Sequence, residues 1–237
     1  MAEVCDELTS VALPRLSVIV PVLNEAAVIT LSLESLQPLR KQGVELILVD
    51  GGSTDATVSL AAPLVDTSIV SIRGRAMQMN AGAAIARADV LLFLHADTTL
   101  PTDALPAILD GLATSAKTWG RFDVRIEGQP FMLRVIAAMM NWRSRLTGIA
   151  TGDQAIFVRK ADFLAVQGFP YQALMEDIAI SRSLGQHSAP LCLHQKVTTS
   201  GRRWCHGGVW RTIFLMWRLR LLYWLGVSPE QLLKKYK

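Results

Sequence analysis

Cysteine is scarce in this chain: Cys5, Cys192 and Cys205 stand far apart, with no CxxC among them. That excludes a disulfide scaffold and a cysteine zinc site, and it fits a reducing compartment. Charge is thin as well, at 19% of residues against 51% hydrophobic, which rules out extended disorder. The longest apolar stretches are broken by Arg134, Arg211, Arg218 and Arg220, so none offers the ~18 clean residues of a membrane span. The first fifteen residues hold Glu3, Asp6 and Glu7 and no hydrophobic h-region, so no secretion signal is expected. No GxGxxG follows the first apolar run, which argues against a dinucleotide oxidoreductase. Internal repeats and low-complexity linkers are missing too.

What remains is 237 residues, enough for one sizeable domain with an appendage. The net charge of +4 is unevenly spread. Residues 201–237 carry eight Lys/Arg against the single acid Glu230, a balance of +7, and the first 200 residues balance at −3. Trp204, Trp210, Trp217 and Trp224 fall in the same tail. A basic surface therefore belongs to the tail alone.

Apolar runs at 16–22, 44–50, 68–72 and 89–95 predict four strands, and the stretches between and after them, near 25–41, 55–63, 75–87 and 102–114, have helical character. Continuous apolar strands alternating with helices predict an α/β fold with a mostly parallel sheet covered on both faces. Polar residues gather where strands end, at Asn24-Glu25, Asp50 and Asp97, and ligands of open α/β sheets bind there. Beyond residue 115 the pattern is less regular. Strands are expected near 120–126, 155–159 and 190–199, and helices over 131–145, 176–184 and 206–225.

Isolated carboxylates at strand ends suit a nucleotide and a hard cation. Asp50 can accept from a base or ribose, and Asp97 can hold Mg²⁺ or Mn²⁺ beside phosphate oxygens. Gly74-Arg75 opens a helix whose N-terminus favours anions, with Arg75 adding charge-assisted bonds to phosphate.

Four strings, VIVPVLNE (18–25), ILVDGGSTD (47–55), LLFLHAD (91–97) and MEDIAISRSL (175–184), occur in the order and spacing of the family 2 glycosyltransferases, which the chain resembles across about residues 16–204. GRAMQMNAGAAIA, HADTTLP, TGDQAIFVRK and RRW resemble a subgroup of small bacterial members named for arsenosugar biosynthesis. The resemblance implies a GT-A domain over 1–204, its nucleotide-binding half about 16–115 and its acceptor half about 116–204, followed by a helical tail over 205–237. It implies a UDP- or GDP-linked sugar donor, a divalent metal, a small-molecule or lipid-linked hydroxyl acceptor, and inversion at the anomeric carbon.

Carried over position by position, Pro21, Glu25, Asp50, Arg75, Asn80, His95 and Ala96 fall around the nucleotide. Asp97 falls at the metal and Arg203-Trp204 at the pyrophosphate. Gly152, Asp153 and Gln154 fall on the acceptor side, and Asp177, with Glu176 beside it, at the general base. His206 is a second candidate metal ligand. Two positions depart from the family pattern: His95 replaces the first Asp of DxD, and Ser200 stands where processive relatives have the Gln of QxxRW.

Simpler roles compete. Asp50 and Asp97 could serve as turn or cap residues, Glu25 as an ordinary first-turn acid, and Asp177 as a helix start. Other functions compete as well. A metal-dependent nucleotidyltransferase would share the sheet but calls for a Gly-rich loop where Val22-Leu23-Asn24-Glu25 stand. A non-catalytic, membrane-associated nucleotide-sugar-binding protein would be expected to lose the carboxylates at 97 and 177. Nucleic-acid binding is not expected, because the basic tail is interleaved with apolar residues. Trp210, Trp217 and Trp224 recur every seven residues on one helical face. That face is expected to meet the domain, a membrane surface or a second copy in a homodimer. A cytoplasmic protein is expected, with the tail offering peripheral attachment to the inner face of the cell membrane.

Overall fold

Seven residues of alternating inward reach, Leu16–Val22, make the first strand, β1, buried along its whole length. The period of two sorts its side chains to opposite faces. Val18, Val20 and Val22 enter one apolar cluster and Ile19 the other. Strand β2 (Val44–Asp50) does the same, Leu46 and Leu48 on one face and Ile47 and Val49 on the other. A computed structural model of the chain, describing residues 13–202 and 208–236, places these strands parallel and adjacent, with Val22 opposite Asp50. Strands β3 (Thr67–Val70) and β4 (Val90–Phe93) pair in parallel with β2 and β1.

Helix α1 (Ile29–Arg40) and a short helix α2 (Thr57–Ala61) follow β1 and β2, and α3 (Arg75–Ile85) follows β3. Gly82 lets α3 lie directly on the sheet, since a Cβ there would stand 2.5 Å from Ile19 Cγ2. The expected boundaries hold to within a few residues at each end, the usual fraying range.

The second half departs from an all-parallel sheet. Two-residue β5 (Thr98–Thr99), helix α4 (Ala104–Thr114) and strand β6 (Trp119–Glu127) lead to α5 (Met132–Thr147) and β7 (Ile156–Arg159). Helices α6 (Lys160–Ala165) and α7 (Glu176–Gly185) precede β8 (Leu191–Ser200). The sheet order is β3-β2-β1-β4-β7-β6-β8-β5, and β7 runs antiparallel to both β4 and β6. The strand ends of β1, β2 and β4 thus share one edge, where Glu25, Asp50 and Asp97 emerge.

Helix α5 is held on β6 by polar contacts. The Val124 N–H donates to Asn141 Oδ1 at 2.8 Å, and Asn141 Nδ2 donates back to the Val124 carbonyl at 3.0 Å. Beside them the buried Asp123 carboxylate receives Arg121 and, at 2.7 Å, Arg145.

The tail forms two helices, α8 (Val209–Trp224) and α9 (Pro229–Tyr236). Pro229 begins α9, where its missing N–H costs nothing. The inward face of α8 (Leu215, Met216, Leu219, Leu222 and Tyr223) packs with Leu232 of α9 on Met175 and Ile178, which flank the start of α7. The opposite face leaves Trp210, Phe214, Trp217 and Trp224 more than half exposed. No helix among the described residues is long and apolar enough to cross a membrane.

Candidate active site

A cleft of about 350 Å³ opens over the ends of β1 and β4. Pro21, Glu25, Arg75, His95, Ala96, Asp97 and Glu176 line it, seven of the residues singled out in the sequence. A small cavity beside it is lined by His95, Gly152, Glu176 and Asp177. His95 and Glu176 belong to both, so they join the two compartments.

The loop after β1 is locked to the loop after β2. Asn24 adopts φ +55°, a conformation asparagine tolerates better than most residues. Its side-chain oxygen accepts from the Thr54 N–H at 2.8 Å, and its own N–H donates to Ser53 Oγ at 2.9 Å. Asp50 organises that turn. Its carboxylate accepts from the Gly52 N–H at 3.1 Å, the Ser53 N–H at 3.0 Å and the Ser53 hydroxyl at 2.5 Å. Asp50 is buried and does not line the cleft; its carboxylate organises the turn beneath it.

Two further residues point to scaffold partners. Asn80 donates to the Phe169 carbonyl at 2.8 Å and accepts from the Phe169 N–H at 2.9 Å, so its carboxamide pins the loop before α7. Gln154 is fully buried. It forms a capping box with Thr151, accepting from the Thr151 N–H at 3.2 Å, and so shapes the acceptor-side loop without presenting a side chain to it. Arg203, Trp204 and His206 lie outside the described residues.

Arg202 stands between two carboxylates, its Nη2 3.8 Å from Glu25 Oε2 and 3.9 Å from Asp97 Oδ2. Burial pushes the Glu25 carboxyl above its ordinary value, Arg202 draws it back, and the negative Asp97 raises it again. Asp97 and Glu25 are hard oxygen donors lining the cleft, of the kind that hold Mg²⁺ or Mn²⁺ together with phosphate oxygens, and Arg202 stands between them. Among the described residues no three His, Cys, Asp or Glu converge on a point. A cation at Asp97 would need its remaining ligands from a bound diphosphate.

Asp177 sits in the first turn of α7 behind Met175, whose φ is +66°. Its Oδ1 accepts from the Ile178 N–H at 2.8 Å and its Oδ2 from the Gly152 N–H at 3.1 Å. Glu176 beside it is buried. Burial first and Asp177 second push its carboxyl upward, with Arg75 and His95 pulling the other way. Opposite, His95 Nδ1 lies 3.3 Å from Asp153 Oδ1. A Cβ on Gly152 would stand 2.5 Å from His95 Cε1, so only glycine permits this approach.

Some cleft residues escaped the sequence. Buried Gln78 donates to the carbonyls of Val22 and Val49, 2.8 Å each, tying the two strand ends beneath the site. A polar residue on the inward side of an apolar helix was its signal. Leu233 and Tyr236 line the cleft from α9, and their distance along the chain gave no hint of it.

This arrangement is that of a GT-A glycosyltransferase fold, as comparison with solved structures bears out. S. aureus TarS 1–349 in complex with UDP-GlcNAc superposes with a TM-score of 0.65 at 19% identity, over 78% of this chain and 58% of that one. The mannosyltransferase PcManGT from Pyrobaculum calidifontis, in complex with GDP-Man and Mn²⁺, gives 0.63 at 20% identity, over 95% and 70%. Residues 17–163 match the model of glycosyl transferase family 2, and the chain belongs to that family. A PGL/p-HBAD biosynthesis glycosyltransferase of Mycobacterium bovis is 41% identical over 96 residues. The match takes in 38% of this chain and 38% of that relative. An uncharacterized glycosyltransferase of Haemophilus influenzae is 29% identical over 100 residues, 39% of this chain and 40% of that one.

Proposed function

We propose that the protein transfers a sugar from a UDP- or GDP-linked donor to a hydroxyl acceptor, with inversion. The observation that carries this is the junction of the two compartments: the carboxylates facing the larger cleft and Asp177 in the smaller cavity meet through His95 and Glu176. The nucleoside diphosphate lies along Pro21, Arg75 and Ala96, and the anomeric carbon points toward Asp177. Asp177 takes the proton from the acceptor hydroxyl as its oxygen bonds to the anomeric carbon. The bond from that carbon to the diphosphate oxygen breaks, and the nucleoside diphosphate leaves with the electron pair from the opposite face. A carboxylate is a weak base, so its contribution depends on position, with proton transfer late.

Asp97 and Glu25 would hold a Mg²⁺ or Mn²⁺ ion, which when bound neutralises charge on the departing diphosphate. Arg202 adds a fixed positive charge to the same region. Electrostatic support of the leaving group is the larger share of such catalysis. The assay is release of UDP or GDP from a panel of sugar nucleotides offered with hydroxyl acceptors and Mn²⁺. Failure of every donor to release nucleoside diphosphate would count against the assignment.

The exposed stripe of α8 extends the proposal to a peripheral membrane site. Trp210, Trp217 and Trp224, with the exposed Arg211 and Arg218, have the composition that favours an anionic headgroup region. Cosedimentation with phosphatidylglycerol vesicles that survives Trp217→Ala with Trp224→Ala would contradict it.

A further inference from the structure

A methionine in the left-handed region is uncommon, because its Cβ crowds the backbone there, and such a conformation persists only where the surroundings enforce it. Met175 has φ +66° and ψ +24° and stands at the N-cap position of α7, immediately before Glu176 and Asp177. Its carbonyl accepts from the Ala179 N–H at 3.1 Å, and two residues on the Asp177 carboxylate meets the Gly152 N–H at 3.1 Å. A φ of the opposite sign at residue 175 would redirect the chain and turn Glu176 and Asp177 out of the small cavity that both now line.

Nothing local favours this turn. Residue 175 is neither glycine nor asparagine, and no side chain caps the helix start. The enforcement comes from the tail. Met175 is buried in one cluster with Ile178, Leu219 of α8 and Leu232 of α9. Among the described residues that cluster takes only Ile149 and Leu174 besides these from outside the tail. Its other members, Leu215, Met216, Leu222, Tyr223, Val227 and Tyr236, belong to α8, α9 and the turn between them. Tyr223 also brackets the start of α7 with polar contacts. Gln172 Nε2 donates to the Leu174 carbonyl at 3.0 Å and lies 3.5 Å from the Tyr223 hydroxyl. On the other side the Arg182 guanidinium sits 5.6 Å from the centre of the Tyr223 ring.

We propose that the α8–α9 hairpin is a positioning element for the transfer: Leu219 and Leu232 hold Met175 left-handed, and Met175 in turn aims Asp177 at the acceptor hydroxyl. None of the three lines either cavity, so each acts through Asp177 and not by touching substrate. A displacement of about 1 Å at a reacting group is worth about 10²-fold in rate, so a hold of this kind shows in turnover. The role in transfer rests on the glycosyltransfer proposed above; the hold on the start of α7 does not.

The test separates backbone aim from side-chain bulk. Glycine adopts φ +66° without cost, whereas alanine keeps the Cβ and loses the buried side chain. Turnover should fall about tenfold or more in Met175→Ala and be about threefold or more higher in Met175→Gly, although glycine removes more packing. Leu219→Ala should lower turnover about tenfold or more when made alone, and less than threefold when added to Met175→Gly. Affinity for UDP or GDP with Mn²⁺ should stay within threefold of wild type in all of them. Hydrogen exchange of residues 175–184, read by mass spectrometry without substrates, should be faster in Leu219→Ala than in wild type, but no faster in the double variant than in Met175→Gly. Glycine at or below alanine, an equal loss from Leu219→Ala in both backgrounds, or nucleotide affinity falling in step with turnover overturns the proposal. Should Leu219→Ala not fold, Leu219→Val is compared in the same two backgrounds against the same outcomes. If wild type turns over no donor, or Asp177→Asn keeps normal turnover, the base assignment fails, and hydrogen exchange alone decides whether the hairpin holds the start of α7.

Discussion

The backbone N–H of Gly152 donates to Asp177 Oδ2 at 3.1 Å, tying the loop before β7 to the first turn of α7. The carboxylate in the position of the base is thus oriented by a loop far from it in sequence. Asp177→Asn keeps an oxygen that can still accept from Gly152 but cannot take a proton at neutral pH. Turnover should fall about 10²-fold or more, in the range of general-base losses, with donor affinity within threefold of wild type. Steady-state rates and donor titration measured separately check this; near-normal turnover would remove Asp177 from the base role.

Glu176 gives a prediction about stability. Burial raises its carboxyl above the ordinary 4.5, so folding favours the protonated form and the ionised form costs stability. The cost is absent below 4.5, grows as pH rises, and is complete above the folded-state value. Glu176→Gln should therefore melt higher than wild type at neutral pH, with the difference vanishing on acidification below 4.5. Paired melting curves from pH 4 to 8 test it, and a constant difference across that range would contradict it.

Gly152→Ala places a methyl 2.5 Å from His95 Cε1 and 2.6 Å from Nε2. The imidazole or the loop must move, at a cost of about 1–3 kcal/mol. Denaturant melts should show that loss, with reduced turnover as the junction between the compartments is disturbed. An unchanged crystal position of His95 in the variant would refute the steric argument.

Tyr236 and Leu233 bring the chain's last helix to the nucleotide cleft. Tyr236→Ala should weaken nucleoside diphosphate binding by about 0.5–1.5 kcal/mol, the usual worth of an aromatic contact. Calorimetric titration reads this directly. An unchanged dissociation constant would make α9 a structural cover only.

The first half of the chain was legible because its signals are local. Strands such as Leu16–Val22 are apolar throughout, and their ends carry the polar residues that form the cleft. Asp50, Asn80 and Gln154 show where this fails: the sequence marks a polar residue near the site, but a backbone N–H or carbonyl from elsewhere decides whether it faces ligand or scaffold. The antiparallel β7 follows long-range pairing that no local pattern records. The tail was legible as an amphipathic problem, not as a solution. Its heptad of tryptophans marked one face without deciding what covers it, whereas Leu219, on the inward side, meets Met175 and Ile178 more than forty residues away in sequence.

The most direct test of the central claim is calorimetric titration of UDP and GDP, with and without Mn²⁺, into the wild type and Asp97→Ala. One nucleotide should bind wild type more tightly with Mn²⁺ than without, and Asp97→Ala should lose most of that metal-dependent gain while remaining folded. Absence of binding by either nucleotide, or an Mn²⁺ gain untouched by Asp97→Ala, would contradict the assignment of this cleft to a sugar nucleotide and its cation.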